Sequence, residues 1–172
     1  MLPLEHFLFA ALPLVAYVAV RYRRLPRGHT LLFVLLATQL PDLIDKPLAW
    51  TFGVIPSGRM LAHSLVIAVP LLSLGCVLAA RRGWGRPAAV FSLAYLSHIA
   101  GDFYQILWQG SEYYFFPNLF WPLLAANPDQ RPSFAAHAPP NLWAVLVPGS
   151  VFLLVTGYIL LDIVRRPPPV IE

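Results

Sequence analysis

The sequence predicts an all-α protein: a polytopic transmembrane helix bundle of about five spans, N-terminus outside and C-terminus inside. Three observations predict it. Of the 172 residues 58% are hydrophobic and 12% charged, about half the charge usual in a soluble domain, and the mean hydropathy is +0.65. Apolar runs recur along the chain, each long enough to cross a hydrocarbon core of roughly 30 Å. The basic residues collect in three clusters beside those runs: Arg21, Arg23, Arg24 and Arg27; Arg81, Arg82 and Arg86; Arg165 and Arg166. That is how cytoplasmic loops read under the positive-inside rule. The net charge of +4 is therefore a topology signal, and no nucleic-acid partner is expected.

The elements follow in order. Residues 2–20 form the first span. Its basic cluster follows the apolar run, the reverse of a signal peptide, so a retained helix is expected. Residues 30–50 form the second. Pro41 and Pro47 in PDLIDKP should kink or break it, and broken helix at membrane depth must face protein or a wet cavity. Residues 59–80, 87–108 and 141–164 complete the set. Alternation then puts all three basic clusters on one face. Residues 109–140 form a long extracytoplasmic loop, rich in aromatics and proline, suited to an interfacial belt or short helix or to a lid over a site. Residues 1–166 read as one integral membrane domain and 167–172 as a flexible tail. Cys76 is the only cysteine, which excludes an intramolecular disulfide and argues against a thiolate metal site. Asp162 is expected to pair with Arg165 or Arg166 one turn on.

Six ionisable residues interrupt these apolar stretches: His6, Asp42, Asp45, His63, His98 and Asp102. Ionisable groups inside a span are costly and mark function by default. Counting from the inner end of each span at ~1.5 Å per residue puts all six within a slab of about 8 Å in the outer half of the membrane. Helical spacing pairs Asp42 with Asp45, Arg59 with His63, and His98 with Asp102. Imidazole and carboxylate together suit Zn²⁺ or Mn²⁺, as one ion with an acid/base group or as two ions. All six are candidate metal ligands, with His6, Asp45 and His98 also candidate catalytic groups. Arg59 and Lys46 lie near the same level and are candidates for binding an anionic substrate group. His137 and Glu112 in the outer loop are possible additions to the site.

These residues fall in fragments similar to the membrane-bound metal-dependent hydrolases of the inner membrane: His6, LPDLID at 40–45, GRMLAHSL at 58–65, SHIAGD at 97–102 and FWP at 120–122. The resemblance implies a helical membrane protein with a His/Asp metal site and a hydrolase role. The expected function is metal-dependent hydrolysis of a phosphoester or other ester in a lipid-like, amphiphilic substrate. The site would face the extracytoplasmic side of the cell membrane, with membrane lipids as partners. The alternative is a proton- or metal-ion-coupled transporter, since His/Asp chains also relay protons. The sequence shows no internal repeat and the inner halves of its spans are nearly all apolar, which favours hydrolysis.

Overall fold

A computed structural model describes residues 3–134 and 141–166, and no strand occurs among them. The helices are α1 (Pro3–Tyr22), α2 (Gly28–Lys46), α3 (Leu65–Ala80), α4 (Gly85–Asp102), α5 (Tyr104–Gln109) and α6 (Trp143–Arg165). A π-helical turn, Pro47–Thr51, extends α2, and a 3-10 helix, Tyr113–Phe120, lies in the outer loop. Helices α1 and α6 are each long and apolar enough to cross a membrane, while α3 is apolar but shorter. Helices α2 and α4 have the length of a span but carry the polar residues of the site, which lowers their hydropathy.

Two expected elements differ. Helix α2 runs through Pro41 without a break, and the irregularity comes six residues later at Pro47. Pro41 is fully buried, so its ring is held by packing where an exposed proline would end the helix. The third helix begins at Leu65 instead of residue 59. Residues 52–64 form an irregular loop containing Gly53 at φ 62°, a left-handed turn that suits glycine. The N–H groups of Met60, Ala62 and His63 bond to the Asp45 carboxylate. Arg59 and His63 thus reach the site from a loop, without the shared helix face that their spacing suggested.

Helix α2 is central, packing on α1, α4 and α6; α4 also packs on α1 and α3. The buried core joins Phe7, Leu31, Val34, Ile99, Phe103 and Ile159 with the small residues Ala37 and Ala94. Small side chains let helix backbones approach closely where apolar burial drives nothing. Thr38 meets His98 and Asp42 meets Asp102, so α2 and α4 run parallel. His6 near the start of α1 meets Asp102 at the end of α4, so α1 runs against them. At the opposite end the Gly28 N–H donates to Asp162 Oδ2 at 2.8 Å, and Asp162 pairs with Arg166 at 3.2 Å. The ionisable cluster and the basic clusters therefore occupy opposite ends of the bundle. The outward faces are strongly apolar, with Val20 83%, Leu154 74% and Leu93 69% exposed, a surface suited to lipid rather than water.

Candidate metal centre

The site is assembled by three elements at one level. Helix α2 supplies Asp42, α4 supplies His98 and Asp102, and the 52–64 loop supplies His63. Each offers one donor atom, and these four atoms lie within 4.8 Å of one another.

The imidazoles are fixed from behind. His98 Nδ1 is 2.6 Å from the Thr38 carbonyl. A carbonyl only accepts, so Nδ1 carries the hydrogen and a neutral ring presents a lone pair at Nε2. His63 Nδ1 is 2.8 Å from Asp45 Oδ2, which fixes the same tautomer. The two Nε2 atoms then face each other at 3.1 Å. Two lone pairs at that distance repel unless a proton or a cation lies between them.

The carboxylates close the set. Asp42 Oδ1 is 3.6 Å from His63 Nε2 and 3.7 Å from His98 Nε2. Asp102 Oδ2 is 3.5 Å and 4.0 Å from the same atoms. Metal–ligand bonds of ~2.1 Å in a tetrahedron require donor edges of about 3.4 Å; these five edges run from 3.1 to 4.0 Å, and the set as a whole spans up to 4.8 Å. Asp42 Oδ1 is buried with no hydrogen-bond partner among the described residues, an orphaned acceptor aimed at the gap. The donor set fits one small divalent cation.

Asp45, expected as a ligand and catalytic group, lies outside this set. Its oxygens accept from the N–H groups of Met60 at 2.9 Å, Ala62 at 2.8 Å and His63 at 3.2 Å, besides His63 Nδ1. A carboxylate so engaged, and fully buried, orients His63 and ties down its loop. His6 also lies outside the four-donor set. Its ring stacks on His98 with centroids 3.9 Å apart, and its Nε2 is 3.1 Å from Asp102 Oδ1 without hydrogen-bond alignment.

Lys46 and Arg59 flank the donors. Lys46 Nζ bonds Asp42 Oδ2 at 2.5 Å and sits 5.7 Å over the Trp50 ring. Arg59 Nε donates to Asp102 Oδ2 at 3.0 Å, and its guanidinium lies 5.5 Å over Phe115. Each cation is clamped between a metal-facing carboxylate and an aromatic face. Both line a cleft of about 900 Å³ that also reaches Asp42, Glu112 and Arg131. Of the four donors Asp42 is the most open, its side chain 13% exposed against 1% or less for the others. Glu112 lines the cleft but does not join the donors. His137 lies outside the described residues.

Sequence reasoning missed the groups that hold the loop. The Tyr95 hydroxyl donates to the Ala62 carbonyl at 2.6 Å, and Ser64 Oγ donates to the Trp121 carbonyl. Asn118 donates to Ser57 Oγ at 3.1 Å. Asp129 accepts from Trp50 Nε1, Ser57 Oγ and the Gly58 N–H at 2.5, 2.8 and 2.7 Å. Asp129 sits in NPDQRP, which reads as an ordinary turn, and only the fold brings it to residue 58.

No curated protein and no solved structure matches the chain. A family model described as YdjM inner membrane protein matches residues 1–165. That span includes every donor of the centre, the loop carrying His63 and all six helices. The exposed apolar faces, the two membrane-length helices and this match agree: the chain belongs to the YdjM inner membrane protein family.

Proposed function

We propose that the protein is an integral membrane hydrolase that holds one divalent ion, Zn²⁺ or Mn²⁺, on Asp42, His63, His98 and Asp102. The observation that carries this reading is the facing pair of Nε2 lone pairs at 3.1 Å, closed by two carboxylates and bordered by a cleft with two clamped cations. Three buried carboxylates, Asp42, Asp45 and Asp102, outnumber Lys46 and Arg59. A divalent ion reverses that balance and readies the site for an anion. Four protein donors would fill a tetrahedral ion, so bound metal would supply a water acidified toward neutral pH as nucleophile only at a fifth position or by release of Asp42, the most exposed of the four.

The chain's own groups do the rest. Lys46 and Arg59 bind the substrate's anionic group beside Asp42. His63 and His98 keep their Nδ1–H groups on Asp45 and on the Thr38 carbonyl, so both Nε2 atoms stay available. We read the chain as five spans, with α2 joined to its π turn and α4 to α5. The basic clusters are then cytoplasmic and the cleft opens at extracytoplasmic headgroup depth. A lipid-like phosphoester is the substrate class that suits this position.

The test is metal content and turnover together. Purified protein in detergent should hold about one Zn²⁺ or Mn²⁺ per chain and hydrolyse a short-chain lipid phosphoester, with both lost in His63→Ala and His98→Ala. Folded wild type that takes up neither metal refutes the reading.

A further inference from the structure

We infer that Asp129, in the outer loop, is a positioning residue for the substrate's anionic group; this rests on the hydrolase reading above. The observation is a continuous hydrogen-bond path from Asp129 to the clamped arginine. Asp129 Oδ1 accepts from Ser57 Oγ at 2.8 Å. Ser57 Oγ in turn accepts from the Arg59 N–H at 3.2 Å and from Asn118 Nδ2 at 3.1 Å. Asp129 Oδ2 holds the Gly58 N–H at 2.7 Å and Trp50 Nε1 at 2.5 Å. The Asp129 N–H closes the loop on the Pro56 carbonyl at 3.0 Å.

One carboxylate thus sets both aromatic-backed cations. Through Ser57 and Gly58 it fixes the backbone that launches Arg59. Through Trp50 it fixes the ring on which Lys46 rests. Ser57 is fully buried, so its hydroxyl has no water to substitute for Asp129. A Cβ at Gly58 would lie 3.1 Å from the Trp50 ring, so a larger residue there would need that ring to give way by a few tenths of an ångström. The metal donors meet this path only through those two cations, Arg59 on Asp102 and Lys46 on Asp42; their own placement comes from elsewhere. Asp42, His98 and Asp102 are on helices, and His63 is held separately by Asp45 and Tyr95. The outer loop therefore acts on anion binding and leaves metal binding to the bundle.

The substitution that separates roles is Asp129→Ala against Asp129→Glu. Glutamate keeps two acceptor oxygens for the Ser57 hydroxyl, the Gly58 N–H and Trp50 Nε1, so it can restore the path, whereas asparagine would aim a donor at a Ser57 oxygen that already accepts from Arg59 and Asn118. Inorganic phosphate is the probe, its binding to Zn²⁺-loaded full-length protein in detergent followed by titration. Asp129→Ala should weaken phosphate about tenfold or more, with Zn²⁺ affinity within about threefold of wild type, and Asp129→Glu should recover most of the loss. With a hydrolysable phosphoester the loss should fall on KM and not on kcat. Equal loss of Zn²⁺ and phosphate overturns the inference, making Asp129 a support of the whole site. Unchanged phosphate binding in Asp129→Ala, or no phosphate binding in Zn²⁺-loaded wild type, also overturns it while leaving the metal centre standing. Wild type that binds no metal removes the hydrolase reading itself, and the inference with it.

Discussion

The Tyr95 hydroxyl donates to the Ala62 carbonyl at 2.6 Å, one residue before His63. This bond ties the loop carrying one imidazole to the helix carrying the other. Tyr95→Phe removes it and leaves a buried carbonyl unsatisfied, a loss of about 1–3 kcal/mol. The thermal midpoint in detergent should fall while stoichiometric metal is retained. An unchanged midpoint would mean that the loop is held without Tyr95.

Asp45 should behave as a holder and not as a ligand. Asp45→Ala strips His63 of its Nδ1 partner and three N–H groups of their acceptor. Metal affinity should drop about 10- to 100-fold, together with a large loss of thermal stability. Direct ligands fail differently: His98→Ala should abolish stoichiometric metal with a smaller loss of stability. Titration and melting of both variants distinguish the two roles.

Metal should stabilise the fold. Saturation at about 100 times Kd adds about 2.7 kcal/mol to a protein that binds the ion only when folded. Zn²⁺ should raise the melting temperature of wild type and chelation should lower it. The His63→Ala variant should respond to neither, as a thermal scan with and without EDTA would show.

Gly28 sits where α2 and α6 come close together. A Cβ there would come within 2.6 Å of the Ile159 carbonyl, and backbone cannot yield as a side chain does. Gly28→Ala should cost about 1–3 kcal/mol. A Cβ at Gly157 would meet nothing within 4 Å, so Gly157→Ala should be neutral or slightly stabilising. Similar melting curves for the two variants would contradict this packing.

The five-span topology is open to labelling. In a Cys76→Ser background, Arg24→Cys and Gly83→Cys should react only after the membrane is permeabilised. Ser111→Cys should react with an impermeant reagent added outside. Outside labelling of Gly83→Cys would invert the orientation.

Much of this molecule is legible in its sequence because lipid simplifies the code. Apolar runs and arginine clusters locate most of the helices, and the rarity of charge inside them singles out Asp42, His63, His98 and Asp102. Depth places them at one level together with His6 and Asp45, and only the fold separates these four from the other two. The role of Asp45 was not legible, since three residues along a helix from Asp42 says nothing about which N–H groups a carboxylate will meet. Nor was the start of α3 at Leu65. Hydropathy continues smoothly across residues 59–64, whereas the backbone there is governed by one acceptor, Asp45, on the preceding helix. Asp129 lay beyond reach for the same reason: its partners are more than seventy residues away in the chain.

The parallel course of α2 and α4 has a consequence of its own. Both helices approach the centre with their C-terminal ends, where aligned peptide dipoles amount to roughly half a negative charge each. The backbone itself therefore favours a cation at this point before any side chain contributes. The same field would oppose an anion, and the two cations pinned at the mouth of the cleft offset it. With one helix reversed the two ends would cancel, and an anion could approach without such firmly held counter-charges.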